Sequence, residues 1–348
     1  MYIKKILVII AVLGIVVLSF FSYHIYQSIF APNTAFESET QAIYIPSKPN
    51  YEKDVLKQLK PLLQDAQSFH MVAKQKGYMQ NLKPGKYILR RGMSNNDIVN
   101  TLRSANTPVA VVFNNQERLE NLAGRVAQQI EADSLSLLNS FKDATFLAEN
   151  GFKPATALAM YIPNQYELYW NTSADEFRAR MLKEYQRFWN EKRTQQAKKI
   201  GLKKQEVITV ASIVQKETAK VSERKRVAGV YMNRYNNGWK LDADPTVIYA
   251  IKLQNKSFDT IIKRVLYKDL EIDSPYNTYK YKTLPPGPIA MPDISSIDAV
   301  LNYEKHKYFY FVANPEKPGF HMFAKTLAQH NANKRKYVAW INKMGIKR

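Results

Sequence analysis

The sequence predicts an α+β protein made of an N-terminal transmembrane helix, a small α+β module and a larger domain. Three observations predict it. An uncharged apolar run fills residues 6–23, short strand-like and helix-like stretches alternate between residues 42 and 104, and longer helical patterns broken by Pro- and Gly-rich loops follow. A chain of 348 residues exceeds what one core usually supports, so about two domains are expected. The expected order is a cytoplasmic tail at 1–5, the span at 6–23, a stalk at 24–41, the small module at 42–104 and the larger domain at 105–348.

The first element rests on length and flanking charge. Lys4 and Lys5 precede the apolar run, which approaches the roughly 20 residues needed to cross a bilayer. A cleaved signal peptide begins in the same way. Here the apolar stretch is longer than a usual signal core, and the bulky Tyr23, His24, Ile25 and Tyr26 follow it with no small-residue cleavage site. An uncleaved anchor is therefore expected, with Lys4 and Lys5 in the cytoplasm and the remainder on the extracytoplasmic (periplasmic) side.

Placed there, the formal charge of +21 suggests anionic partners of the envelope: lipid headgroups, lipid-linked pyrophosphates or cell-wall carboxylates. A nucleic-acid partner is not expected, since no RNA-binding signature or P-loop is present. There are no cysteines, which excludes thiol catalysis, Cys-type zinc sites and disulfides. Five histidines without a metal-ligand spacing predict no metal, and no other cofactor is expected.

In the small module, Ala42 to Pro46 alternates like a strand, and Tyr51 to Leu63 has helical spacing that Pro61 kinks or ends. Ser68 to Gln75 reads as helix, Pro84-Gly85 as a turn into the strand Lys86 to Leu89, and Ser94 to Asp97 as the cap of a last helix. Beyond it, Val109 to Phe113 reads as a strand. Helices are expected over Gln116 to Ala132, from Asp133-Ser134, over Ala174 to Lys199 and over Arg224 to Tyr235.

Glu206 to Thr218 is the most informative stretch. At 100° per residue Val207, Val210, Ala211 and Val214 share a stripe, and Glu217 projects from that side while Lys216 points away. A carboxyl group so placed loses hydration, which raises its pKa and suits a general acid. Periodicity alone favours a helix-end glutamate that reaches water or pairs with Arg224 or Arg226. Downstream come Leu241 to Tyr249, Ser274 to Tyr279 and Leu284 to Ile289, polar and aromatic groups in rigid loops of the kind that line sugar clefts.

Ala211 to Thr218, Asp244 to Tyr249, Tyr276 to Tyr279 and Leu284 to Ile289 resemble, in order, the signature blocks of the endolytic murein transglycosylases of the MltG (YceG-like) family. The late run Tyr308 to Val312, with His321, Phe323, His330 and Asn331, matches too. The resemblance covers the chain from about Ala42 to its end. It implies a LysM-like module at 42–104 and a lysozyme-like transglycosylase domain at 105–348. It also implies cleavage of the MurNAc–GlcNAc bond of nascent glycan strands by one glutamate, acid first and base second, leaving 1,6-anhydro-MurNAc ends.

That glutamate maps onto Glu217. The family often has a second glutamate two residues earlier, where this chain has Gln215, and an Asn-Pro where this chain has Ala290-Met291-Pro292. Thr218, Asp244, Thr246, Tyr249, Tyr276, Asn277, Thr278 and Tyr279 are the expected substrate-binding or supporting residues, with Asp244 opening a rigid loop before Pro245. The expected partners are peptidoglycan glycan strands and the membrane, with a peptidoglycan synthase as a candidate. The competing reading is a non-catalytic, membrane-anchored wall-binding protein.

Overall fold

In the computed structural model, residues 2–262 and 264–344 are described. They form a mixed α+β structure in two units. One comprises Met1–Val111, Ala127–Ala132 and Tyr166–Ser173; the other comprises Val112–Val126, Asp133–Gln165 and Ala174–Arg348.

The first unit begins with α1 (Tyr2–Phe30), long and apolar enough to cross a membrane, with its apolar side chains exposed except near its end, where Ile29 packs on the core that follows. Twenty-nine residues rise about 43 Å, more than the roughly 30 Å of a bilayer's hydrocarbon. The helix therefore extends past both ends of the 6–23 run. It takes up part of the segment expected as a stalk, and the rest of that segment packs. Asn33 and Thr34 are buried, Thr34 bridges Leu63, and the Asn33 amide donates to Asn95 Oδ1 at 2.6 Å. A free stalk would leave these polar groups in water; here Asn95 also donates to Ser68 Oγ at 2.9 Å, closing a buried network.

Strands β1 (Thr40–Ile45) and β2 (Gly85–Arg90) pair antiparallel, Thr40 opposite Arg90 and Ile45 opposite Gly85. Alternation puts Ile43, Ile45, Tyr87 and Leu89 inward against α3 (Ala66–Gln75) and α4 (Asn95–Ser104). The stretch read as one helix from Tyr51 changes pitch along its length. It runs as a π-turn over Tyr51–Leu56, as α2 (Lys57–Leu59), and as a 3-10 turn over Lys60–Leu62 that contains Pro61. Ser94 and Asp97 form a capping box at α4.

Strands β3 (Pro108–Phe113) and β4 (Asn164–Tyr169) form a second two-stranded sheet. The helix expected over Gln116 to Ala132 is α5 (Leu119–Ala127), shorter at both ends; α6 (Ser134–Phe141) and α7 (Ala144–Glu149) follow, each capped by an aspartate. The pattern read as one helix from Ala174 to Lys199 is two, α8 (Ala174–Phe188) and α9 (Glu191–Lys199). Asn190 breaks the run because its side chain accepts from the Arg193 amide and starts a new helix.

At the centre of the second unit lies α10 (Lys204–Glu217), every residue from Val207 to Val214 buried. Packed around it are α11 (Arg224–Asn236), α12 (Asp244–Gln254) and α13 (Ile294–Leu301). The rigid loop expected at Asp244 is therefore the first turn of α12, with Pro245 where a proline costs no helix hydrogen bond. Strands β5 (Tyr310–Ala313) and β6 (His321–Ala324) form an antiparallel pair against α14 (Leu327–Lys343).

The proline-rich loop is fixed from two sides. Ile289 donates its amide to Ser212 Oγ at 3.1 Å, tying the loop to α10. A Cβ on Gly287 would stand 1.8 Å from the Ala155 carbonyl oxygen, so only glycine lets the two backbones approach.

Candidate active site

Glu217 is the last residue of α10, half-buried, where the helix passes into the extended Thr218. Tyr231 of α11, itself buried, donates its hydroxyl to Glu217 Oε2 at 2.9 Å. Burial raises the Glu217 pKa above the ordinary glutamate range. The Tyr231 hydrogen bond and the charge of His321 pull it down, Asp244 pushes it up and Arg234 lowers it, and the net direction is upward. Neither arginine considered as a helix-end partner takes that place. Arg224 donates to Asp293 Oδ2 and Ser295 Oγ, and Arg226 pairs with Glu304.

Two groups flank the acid. Tyr279 donates to Asp244 Oδ1 at 2.6 Å, so an exposed carboxylate is held in place at the start of α12. On another side, buried Glu223 accepts from the His321 amide at 2.9 Å and meets His321 Nδ1 at 2.7 Å. Rings continue from there: His321 stands edge-on to Phe311, and Phe311 edge-on to Tyr231. Arg234 is anchored on the carbonyls of Phe309 and Leu241 and reaches Asp242 at 3.4 Å. Asp242 sits at φ 48, and burial raises its pKa against the lowering charges of Arg234 and Lys240.

Most of the other expected residues are buried inside the fold. Thr246 and Thr278 share a hydrogen bond at 2.8 Å. Thr246 donates to the Ala243 carbonyl and Thr278 accepts the Ala243 amide, which locks the chain just before Asp244. Asn277 is fully buried and clamps its own loop through the carbonyls of Leu270 and Ile272 and the Tyr279 amide. Thr218 is also buried, accepting from the Lys220 amide and lying 3.5 Å from Glu223.

Tyr249 and Tyr276 are brought together elsewhere, ring centroids 4.7 Å apart. With Glu117, Arg118 and Phe258 they line a cavity of about 290 Å³. Sequence reasoning had no role for Tyr231, Arg234 or Glu223. Tyr231 and Arg234 lie in a helix that looks merely basic, although their spacing of three puts them on one face. Gln215, read only as the place of a missing glutamate, accepts from the Asp293 amide and Ser296 Oγ and so caps α13.

The sequence model of the YceG-like family matches residues 43–336. A Bacillus subtilis (strain 168) protein named endolytic murein transglycosylase is 30% identical over 336 residues, covering 91% of this chain and 90% of that protein. A Streptococcus pneumoniae protein of the same name is 30% identical over 303 residues. That match covers 78% of this chain but only 53% of the streptococcal protein. A crystal structure of a yceG-like protein from Listeria monocytogenes superposes with a TM-score of 0.56 at 30% identity, covering 84% of this chain and 98% of that one. The chain therefore belongs to the YceG-like family.

Proposed function

We propose that this chain is a membrane-anchored endolytic murein transglycosylase that cleaves peptidoglycan glycan strands, with Glu217 as its catalytic acid. The observation that carries the reading is a carboxyl group with raised pKa, lacking an ion-pair partner among the described residues and held by Tyr231, in a chain of this family. The names borne by the Bacillus and Streptococcus relatives support the substrate and the endolytic mode.

The reaction uses one carboxyl group twice. Tyr231 occupies Oε2, which leaves Oε1 to carry the transferable proton. Glu217 gives that proton to the oxygen leaving C1 of N-acetylmuramic acid, and oxocarbenium character develops on the sugar. The resulting carboxylate takes the proton of the same sugar's 6-hydroxyl, whose oxygen closes on C1. The products are a free GlcNAc 4-hydroxyl and a 1,6-anhydro end. No water is consumed, which departs from the two-carboxylate scheme of hydrolases. Asp244 supports the first step as a like charge that favours the protonated acid, and Tyr231 supports the second by hydrogen-bonding the carboxylate.

The reading extends to the rest of the chain. Helix α1 is a single-pass anchor with Lys4 and Lys5 in the cytoplasm and the catalytic unit on the periplasmic face, near strands as a synthase makes them. Residues 42–104 act as a LysM-like module that precedes a lysozyme-like catalytic domain. Digesting purified glycan strands with wild type and Glu217→Gln, followed by mass spectrometry of 1,6-anhydro ends, tests the central claim. Wild type forms them and the variant does not. Equal yields from both would remove Glu217 from the chemistry, and no anhydro ends from wild type would leave wall binding as the function.

A further inference from the structure

A second cavity, of about 540 Å³, is ringed by Lys153, Lys203 and Lys282, with Gln205, Glu206 and Tyr235 among its other lining groups. Its charge is unbalanced. Glu206, the sole acidic side chain in the lining, spends its carboxylate on the Lys203 backbone amide at 2.7 Å, and none of the three lysines has an ion-pair partner among the described residues. Lysines gathered around one space repel each other, and an anion that enters relieves that repulsion.

The cavity is tied to the candidate active site along three separate pieces of chain. Glu206 precedes Glu217 by eleven residues, three turns of α10, so it lies on the same side of that helix about 16 Å away. Tyr235 stands one turn beyond Tyr231 on the same face of α11. Lys282 follows Tyr279, the partner of Asp244, by three residues. A polymer engaged at Glu217 therefore has this cationic space within reach of its side branches.

On the reading of the chain as a murein-cleaving enzyme, we propose that this cavity holds the carboxylate end of the peptide stem borne by the glycan strand. The length is of the right order, since an extended peptide covers about 3.3 Å per residue and about five residues match the 16 Å rise of α10 between Glu206 and Glu217. The chemistry fits as well: carboxylates meet lysine ammonium groups, and peptide amides meet Gln205 and Tyr235. The cavity then makes the enzyme select strands that still carry their peptides.

The test measures strand binding to the full-length chain in detergent, with Glu217→Gln present so that nothing is cut. Peptide-bearing strands are compared with strands stripped of peptide by an amidase. The Glu217→Gln chain is expected to bind the peptide-bearing strands about tenfold more tightly, the effect of a few partly screened ion pairs. Adding Lys153→Gln, Lys203→Gln and Lys282→Gln brings that ratio to about two or less, with affinity for stripped strands unchanged. Lys192→Gln, Lys198→Gln and Lys199→Gln on α9 remove the same charge and leave the ratio at about ten.

Lys282→Gln alone, expected to lower the ratio about threefold, decides between the outcomes if the triple variant does not fold. A ratio that survives the cavity substitutions, that falls equally with the α9 set, or that is near one at the outset overturns the proposal. The anhydro-end assay judges the catalytic reading separately, with Glu217 intact.

Discussion

Two glutamates of the second unit, Glu217 and Glu117, face the same physics and titrate in opposite directions. Burial works to raise the pKa of both. At Glu117 two lysines answer it: Lys216 reaches Oε1 at 2.5 Å and Lys252 reaches Oε2 at 2.9 Å, and their hydrogen bonds and charges hold the group below its ordinary range. At Glu217 the hydrogen-bond donor is the neutral Tyr231, Asp244 adds a like charge, and the cationic contributions of His321 and Arg234 are too small to reverse the effect of burial. Lys216, the immediate neighbour of Glu217 in sequence, turns to the other glutamate. Direct cations, more than depth of burial, separate an acid from half of an ion pair.

The sharpest way to break this contrast is to neutralise each carboxyl in turn. Glu217→Gln lowers the rate of anhydro-end formation by about a thousandfold or more, the scale expected when an essential general acid is removed. Glu117→Gln leaves that rate within about twofold. Comparable losses in the two variants would show that protonation state does not decide activity. A smaller change comes from Tyr231→Phe, which removes the donor to Oε2. The hydrogen bond lowers the Glu217 pKa, so its loss raises that value, and the alkaline limb of the rate profile moves to higher pH. The rate at the optimum falls by about tenfold, because the carboxylate formed in the first step loses its donor. A limb that moved to lower pH would contradict the assigned role of Tyr231.

How much of this was legible in sequence follows from what each feature depends on. Period and caps are local, so the small-module strands, the helix after Ser94 and the placement of Glu217 on the buried side of α10 could be read directly. Breaks were less visible. The α8–α9 boundary hangs on the Asn190 side chain turning back to an amide three residues on, within a run whose composition stays helical throughout. The environment of Glu217 was the least legible part. Tyr231 arrives from fourteen residues downstream, and Glu223 is paired with a histidine 98 positions away. Periodicity says which face a side chain takes, and it is silent on who meets it there. For the same reason Tyr249 and Tyr276, close to Asp244 and Tyr279 in sequence, turn to a different cavity.

The smallest expected effect is on stability, and it carries the contrast in its sign. The folded-state pKa of Glu117 lies below its ordinary 4.5, so the pair with Lys216 and Lys252 adds stability above that value and loses it as pH falls through the depressed one. Glu117→Gln should therefore cost roughly 1 kcal/mol near neutral pH, a partly exposed ion-pair effect, and little in strong acid. Glu217 is the reverse case. Its folded-state pKa lies above 4.5, so ionisation opposes folding once the pH exceeds the unfolded value, and the penalty grows until the pH passes the raised one. Glu217→Gln keeps an oxygen for Tyr231 and removes the charge, so it should raise the melting temperature near neutral pH, with the gain shrinking as pH falls toward 4.5. Calorimetric scans of the two variants across pH would then give difference curves of opposite sign. If both substitutions destabilise by the same amount at neutral pH, Glu217 is ionised in the resting protein and its service as an acid must depend on bound substrate to shift it.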